Sequence, residues 1–268
     1  MKRQPFHEWT KCVKNDRSGI LATVLNNARN IQSGSRLFVS EMGDRTGGLG
    51  NSLLDEQVAK LATEKLRQMV PVSKTYSFHV DEETISVFVD VHIPPPKVII
   101  FGAGHDAIPV AAFAQQSGFR VTIVDPREAF ANQERFPGTH IILARPKHLS
   151  EKVHLDKHTL IVIMNHHLDK DRACLQFSLE SEAPYVGLLG PRKRRNRLLN
   201  DLKSRGVTFS KESISRLYNP VGLDIGAEGS DEIAISIVSE LIAFKHGKRG
   251  GFLTEQYDDT DTTYEVAE

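Results

Sequence analysis

The sequence predicts an α/β protein, with a C-terminal parallel sheet that has helices on both faces and a small α+β N-terminal domain before it. Five short apolar runs follow one another after residue 97, and a longer, more polar segment separates each from the next. Nearly continuous apolar strands that alternate with helices are typical of a parallel sheet covered on both sides. Three consecutive prolines at 94–96 fit neither a helix interior nor a central strand, so they predict a short connector.

The proline run divides the 268 residues into segments. We expect an N-terminal domain over 1–93, a connector over 94–96, a second domain over 97–250 and a flexible tail over 251–268. The tail contains six acidic residues and no basic one. Such a composition is typical of a loose terminal segment.

Local patterns predict each element of the N-terminal domain. The strands have β-branched or alternating apolar residues. The second helix has apolar residues at helical spacing, with Asn51 or Ser52 as its cap. In chain order we expect a helix at 5–16, strands at 19–25 and 36–40, a turn at 42–45, a helix at 51–69, and strands at 75–80 and 85–93.

In the second domain, the apolar runs predict strands at 98–101, 121–124, 141–143, 160–164 and 185–189. The last helix is expected over 231–244, because apolar residues recur on one of its sides. Ser230 is the expected cap of this helix and Gly247 its expected end.

Composition excludes several classes of protein. The 34 basic residues balance the 34 acidic ones and the pI is about 7.2, which argues against a nucleic-acid partner. No run of 18 apolar residues is present, so we expect no membrane span. The N-terminus lacks the apolar block of a signal peptide, and two cysteines cannot form a disulfide framework. These features predict a cytoplasmic protein.

A glycine motif follows the first strand of the second domain. Gly102 and Gly104 stand in the pattern Gly-x-Gly-x-x-Ala, a helix follows, and the next strand ends at Asp125. This arrangement predicts a Rossmann-like domain, in which Gly102 permits a tight turn and Gly104 lets the backbone approach a pyrophosphate. Asp125 is expected to accept hydrogen bonds from ribose hydroxyls, which favours NAD over NADP, although Arg127 weakens that preference.

Other candidate ligand-binding residues follow the strands of the same predicted sheet. His105 comes directly after the glycine loop and His166 follows the fourth strand. Each could contact a ligand or could be a local structural residue. Gly190 ends the fifth strand, and Arg192 and Lys193 begin a basic helix that could bind phosphate or could be a solvated face. The adjacent histidines at 166–167 lack a recognised ligand spacing, so no metal site is predicted.

Three separated stretches follow one family pattern: the glycine loop at 102–105, the Leu-Leu-Gly turn with its basic helix at 188–199, and NPVGLDIGAEGSDEIAISIVSELIA at 219–243. Together they resemble the XdhC/CoxI family, whose members are accessory proteins of xanthine dehydrogenase and related molybdenum hydroxylases. The first third is also similar to this family, in ILATVL, SGSRLFVSEMG and TGGLGNSLLDE.

The resemblance implies a non-enzymatic chaperone that binds molybdenum cofactor, a phosphate-bearing anion. It implies insertion of that cofactor into an apo-hydroxylase of the xanthine dehydrogenase type, after sulfuration by a cysteine desulfurase. The family's N-terminal turn usually reads Gly-Gly-Cys-Leu-Glu, whereas here Leu53 stands in the cysteine's place. Leucine can neither ligate molybdenum nor carry sulfur. A homodimer is the expected assembly, since two-fold oligomers are the commonest.

Two other functions remain open at this point. One is an NAD- or NADP-dependent oxidoreductase, which the glycine loop and Asp125 would suit, although no proton-transfer pair is evident in the sequence. The other is a non-catalytic adaptor whose basic helix and acidic tail bind partner proteins. Whether the chain is an enzyme is therefore undecided, and the resemblance favours the answer that it is not.

Overall fold

A computed structural model describes residues 4–28, 31–68, 71–80 and 82–256 of the chain. It divides into two compact units, Met1–Pro94 and Pro95–Glu268. The division falls inside the run of three prolines. The expected acidic tail lies outside the described residues from residue 257 onwards.

The N-terminal unit is an antiparallel five-stranded sheet in the order β3-β2-β1-β5-β4, with two helices. Its elements are α1 (Pro5–Lys14), β1 (Gly19–Val24), β2 (Arg36–Ser40), β3 (Arg45–Gly48), α2 (Ser52–Gln68), β4 (Lys74–Val80) and β5 (Glu83–His92).

Side-chain alternation along β1 places the two helices of this unit on opposite faces of the sheet. Ile20 packs in one core with Leu54 and Val58 of α2. Leu21, its neighbour in sequence, packs with Cys12 of α1. Successive residues of a strand point to opposite faces, so each helix covers one of them.

The C-terminal unit is a six-stranded sheet in the order β11-β10-β9-β6-β7-β8, and all its strand pairs are parallel. Its elements are β6 (Lys97–Phe101), α3 (Ala107–Gln116), β7 (Arg120–Val124), β8 (His140–Ile142), α4 (Leu149–Lys152), β9 (Thr159–Ile163), α5 (Leu168–Leu179), β10 (Tyr185–Leu188), α6 (Arg192–Ser204), α7 (Lys211–Ser215), β11 (Leu217–Tyr218) and α8 (Gly229–Lys245).

Buried side chains cover both faces of this sheet. Val98 and Ile100 of β6 pack with residues of α3 and α8, whereas Ile99 and Phe101 pack with residues of α5 and α6. The chain runs outwards from β6 to β8 and then returns to β9 on the other side of β6. The strand order therefore reverses between β6 and β9, which is where ligands bind in open parallel sheets.

The predicted parallel sheet, its helices and the N-terminal strand pair are confirmed, with ends shifted by at most two residues. Two short strands, β3 and β11, are absent from the prediction. The predicted cap at Ser230 is wrong, because α8 begins at Gly229 and the preceding Glu228 holds the cap position. Gly247 does end that helix, with a φ of +63°. None of the helices that the structure describes is long and apolar enough to cross a membrane.

Candidate functional site

The glycine loop after β6 is pressed against the end of β9. Gly102 has a φ of +115°, and a Cβ built on it would lie 2.8 Å from the carbonyl oxygen of Met164. Only glycine adopts this backbone conformation without strain and leaves room for the neighbouring chain. Gly104 is different, because the nearest atom to a Cβ there is Cδ2 of His166 at 3.8 Å. The space over Gly104 is thus open, as the pyrophosphate hypothesis requires.

The middle residue of this loop, Ala103, is held at both of its polar backbone groups. Its N–H donates to Asp125 Oδ2 at 3.0 Å, and its carbonyl accepts from Arg135 Nη1 at 3.2 Å. No motif marks Arg135, which lies 32 positions further along the chain. The loop's geometry is therefore fixed by side chains from the segment that follows β7.

Asp125 is fully buried, with 0% of the residue exposed. Besides the Ala103 amide, its carboxylate accepts from the backbone N–H, Nε and Nη2 of Arg127, at 2.8–2.9 Å. A carboxylate has about four acceptor positions, and these donors take all of them. Burial opposes ionisation, but the hydrogen bonds from Arg127 and Ala103 outweigh it and lower the pKa of Asp125. The ribose hydroxyls expected at Asp125 find no free acceptor position there.

An exposed aromatic ring lies beside this ion pair. Phe130 is 39% exposed, and its ring centroid is 4.1 Å from the guanidinium carbon of Arg127 and 4.9 Å from that of Arg135. Cations over an aromatic face are attracted to its ring electrons. The guanidinium of Arg127, which binds Asp125, and that of Arg135, which binds Ala103, are thus packed against one ring.

Two histidines and a carboxylate surround the opening over Gly104. His166 Nε2 lies 3.1 Å from Asp106 Oδ2, and these side chains are 55% and 40% exposed. His105 is exposed on the same loop. Within the described part of the chain, no acceptor is assigned to the backbone N–H groups of Gly104, His105 and Asp106. Free amides at the start of a helix attract anions.

The basic helix α6 divides into one structural arginine and several exposed cations. Arg194 donates through Nε to the buried carboxylate of Asp171 at 3.1 Å and pairs with it through Nη2. The other oxygen of Asp171 accepts from the backbone and side-chain amides of Asn165. Arg194 therefore pairs with a buried carboxylate inside the protein, whereas Arg192 and Lys193 are exposed in the first turn of α6.

The turn before α6 is fastened to the loop that carries the third family stretch. Gly190 has a φ of +108°, and the Asn219 side-chain amide donates to the carbonyl oxygens of Leu188 and Gly190 at 2.9 and 2.7 Å. On the other side, Gly222 N–H and the Tyr185 hydroxyl both donate to Glu240 of α8. The loop is thus tied to β10 and α8.

The structure places most sequence-predicted site residues at one edge of the sheet. β6, β9 and β10 are consecutive in the sheet order, and the candidate residues follow their carboxyl ends. Those residues are Gly102, Gly104, His105, His166, Gly190, Arg192 and Lys193. Asp125 follows β7 and faces the protein's own donors. The edge combines free amides, exposed imidazoles and exposed cations, which is a chemistry suited to a phosphate-bearing ligand.

Thiol chemistry is limited in both units. Leu53 is 52% exposed at the start of α2, where its amide donates to the Asn51 cap. Burial, with a smaller contribution from Glu41, raises the pKa of Cys12 to about 11. Burial also raises the pKa of Cys174 to about 12. No group of three or more metal-ligating side chains able to hold an ion occurs among the described residues.

Comparison with protein families gives a match over the C-terminal unit. The model of the XdhC Rossmann domain matches residues 98–241, more than half of the chain. The chain belongs to the XdhC family. Family membership agrees with the resemblance noted from the glycine loop, the basic helix and the 219–243 stretch.

Curated relatives include a protein of Bacillus subtilis named as a probable xanthine dehydrogenase subunit, 36% identical over 64% of this chain and 49% of its own length. Escherichia coli YqeB is 27% identical over 82% of this chain and 42% of its length. The E. coli molybdenum cofactor insertion chaperone PaoD is 23% identical over 57% and 41%. The matched part of the chain thus spans half or less of each of these relatives.

The fold is also similar to that of solved structures. A xanthine dehydrogenase from Bacillus halodurans aligns with a TM-score of 0.53 over 92% of this chain and 97% of that one, at 22% identity. At this identity the likeness concerns the fold. It extends over almost the full length of both chains, so it includes both units.

Proposed function

We propose that this chain is an accessory protein that binds molybdenum cofactor and helps its insertion into an apo-hydroxylase of the xanthine dehydrogenase type. Membership of the XdhC family and the names of two relatives support this role. The observation that carries it is the open space over Gly104, bordered by free backbone amides and exposed histidines. In this proposal the cofactor is cargo and the chain performs no turnover.

The exposed groups at the sheet edge fit an anion of this kind. A phosphate would accept from the amides of Gly104 and its two successors, while Arg192 and Lys193 would add positive charge from the start of α6. His105 and His166 would border the rest of the molecule. Because Gly104 has no side chain, the backbone can approach the ligand closely.

This site would hold its cargo without a thiolate. Leu53 replaces the cysteine of the family pattern, and both cysteines of the chain are buried with raised pKa values. Direct ligation of molybdenum by sulfur of this chain is therefore not part of the proposal. A cysteine desulfurase would supply sulfur to the cargo, and the protein would act as a homodimer in the cytoplasm.

An oxidoreductase using NAD or NADP is the weaker hypothesis. Its support in the sequence is the glycine loop together with Asp125 at the end of β7, and all acceptor positions of Asp125 are taken by internal donors. A nicotinamide nucleotide would lose the ribose contact that the Rossmann pattern normally supplies. The accessory function does not need that contact.

Equilibrium binding of the purified protein to molybdenum cofactor, with NAD and NADP in parallel, tests the proposal. Tight binding of molybdenum cofactor with weak nicotinamide binding is the expected result. Tight binding of NAD alone would move the protein to the oxidoreductases. Binding of none of the three would overturn the proposal in favour of an adaptor.

Two variants locate the ligand on the sheet edge. Gly104→Val places two methyl groups where a phosphate must approach, so cofactor affinity should fall while the circular dichroism spectrum stays unchanged. Lys193→Gln should weaken binding, whereas Lys203→Gln, an exposed lysine in the last turn of the same helix, should not. Equal affinities in all variants would show that the cargo binds elsewhere.

A further inference from the structure

A second concave site lies beyond β7, on the side of the sheet away from β9. It is a pocket of about 270 Å³ that opens where β7 and β8 end. Its lining residues are Pro126, Leu143, Arg145, Lys147, His148 and Lys152. Four of these six side chains are basic and none is acidic. No motif in the sequence indicates this pocket.

The positive charge of the pocket is only partly offset by its surroundings. His148 Nδ1 lies 3.0 Å from Glu151 Oε2, so one carboxylate borders the pocket. Asp125, which directly precedes a lining residue, is buried and paired with Arg127. The cations of Arg145, Lys147 and Lys152 remain facing one pocket.

The backbone that carries these cations is held in place. His148 N–H donates to the Arg145 carbonyl at 2.9 Å, and Lys152 Nζ donates to the Leu143 carbonyl at 2.9 Å. Leu149, in the middle of the segment, is 3% exposed and anchors it in the core between the sheet and α5. A preformed arrangement of charges loses less entropy on binding than a mobile one.

We infer that this pocket binds the phosphate group of a small phosphorylated molecule. Three cations suit a phosphate monoester, which carries a charge of about −1.5 to −2 at pH 7, better than a singly charged carboxylate. Pro126 and Leu143 form an apolar wall that suits a short organic portion. The volume of about 270 Å³ lies just below the range of roughly 300–1,000 Å³ for drug-sized ligands, which suits a small phosphorylated molecule.

This inference does not rest on the proposed function. The pocket follows β7 and β8, whereas the cargo site follows β6, β9 and β10. The phosphate in the pocket has two sources, free inorganic phosphate or an ester. The apolar wall favours the ester.

The test is isothermal titration calorimetry of the full chain, at low ionic strength in a chloride buffer. The probes are inorganic phosphate and glycerol 3-phosphate, with glycerol as the uncharged control. We expect saturable 1:1 binding of glycerol 3-phosphate and no binding of glycerol. Equal affinity for inorganic phosphate would identify free phosphate as a sufficient ligand and still support the phosphate site. Absence of saturable binding of both anions up to about 10 mM would overturn the inference.

A charge-matched pair of variants separates this pocket from general electrostatics. Arg145→Gln with Lys147→Gln should weaken binding by about tenfold or more, since charge-assisted hydrogen bonds are lost. Lys203→Gln with Lys211→Gln removes the same charge from exposed positions on α6 and α7 and should change affinity less than about twofold. Equal loss in the two double variants would refute a specific pocket.

Gly104→Val distinguishes the two sites. This variant should bind phosphate as the unaltered protein does, even though it is designed to lose molybdenum cofactor. Loss of phosphate binding in Gly104→Val would place the anion at the glycine loop and overturn the inference. Loss of cofactor binding alone leaves the pocket intact, so the two proposals fail independently.

Discussion

Gly102→Ala and Gly104→Ala should lower the stability of the protein to very different extents, although the two glycines belong to one motif. At Gly102 a Cβ would lie 2.8 and 2.9 Å from the carbonyl oxygen and carbon of Met164 and 3.0 Å from Cα of Asn165. All three atoms are backbone at the end of a central strand and cannot turn aside. At Gly104 the nearest contact is an ordinary 3.8 Å to His166.

The expected destabilisation by Gly102→Ala is the sum of two effects. Holding a residue other than glycine in a sparsely populated backbone region such as φ +115° costs about 1–3 kcal/mol. Forcing an extra carbon into packed surroundings adds about 1–3 kcal/mol. A total of about 4 kcal/mol should lower the melting temperature by roughly 10 °C, given about 2–4 °C per kcal/mol for a unit of this size. Gly104→Ala should change stability by less than about 1 kcal/mol.

Thermal unfolding followed by far-ultraviolet circular dichroism measures the difference. Fluorescence of the single tryptophan, Trp9, follows the N-terminal unit in the same samples. The loss of stability should appear in the transition of the C-terminal unit. Similar melting temperatures for Gly102→Ala and Gly104→Ala would refute the argument that only the first glycine is confined by backbone.

Three further predictions concern charge and thiols. Asp125→Asn should lower the free energy of unfolding by about 1–3 kcal/mol at pH 7. The loss should lie towards the low end of this range, because the Arg127 side chain is 41% exposed to water. Folding lowers the pKa of Asp125, so its carboxylate stabilises the folded protein above the unfolded pKa of about 3.9, and this stabilisation is lost as the pH falls through the folded pKa. The melting temperatures of Asp125→Asn and of the unaltered protein should therefore converge in acid. Arg194→Ala should lower the free energy of unfolding in urea by about 3 kcal/mol, since it leaves the buried Asp171 carboxylate without its partner. The control Arg192→Ala removes an exposed side chain and should leave this free energy almost unchanged. Burial raises the pKa of Cys12 to about 11 and that of Cys174 to about 12. Iodoacetamide at about pH 8 should therefore label neither cysteine in the folded protein and both in denaturant. Rapid labelling without denaturant would contradict their burial.

The sequence is sufficient to predict elements whose apolar pattern is strong. The central strands of the C-terminal sheet are buried on both faces, so their runs of branched apolar residues identify them without any knowledge of neighbours. β3 is harder to predict, because it lies at a sheet edge and consists of Arg45, Thr46 and two glycines, with no apolar residue to mark it. β11 has only two residues, too few for any period to appear.

Site residues are predictable where their position along a strand decides their place. His105 and His166 follow strand ends, and the carboxyl ends of parallel strands meet at one edge, so their proximity to the glycine loop could be expected. Contacts between side chains that are distant in sequence could not be predicted in this way. The pairing of Arg194 with Asp171, across 23 positions and two helices, depends on how α5 packs against α6. The basic pocket depends in the same way on the conformation of the segment that follows β8, which no sequence motif indicates.

Asp125 shows how a partner alters the meaning of a motif. The Gly-x-Gly-x-x-Ala pattern and an acidic residue at the end of the next strand normally indicate ribose recognition. Here the second residue after the carboxylate is Arg127, which reaches back and occupies it with three hydrogen bonds. The carboxylate then serves the glycine loop through Ala103 instead of a ligand. In the proposed function, selectivity for the ligand comes from the groups at this edge that remain free, namely the exposed imidazoles and the cations at the start of α6. Substitutions of these groups should therefore alter which ligand binds and leave the geometry of the glycine loop unchanged.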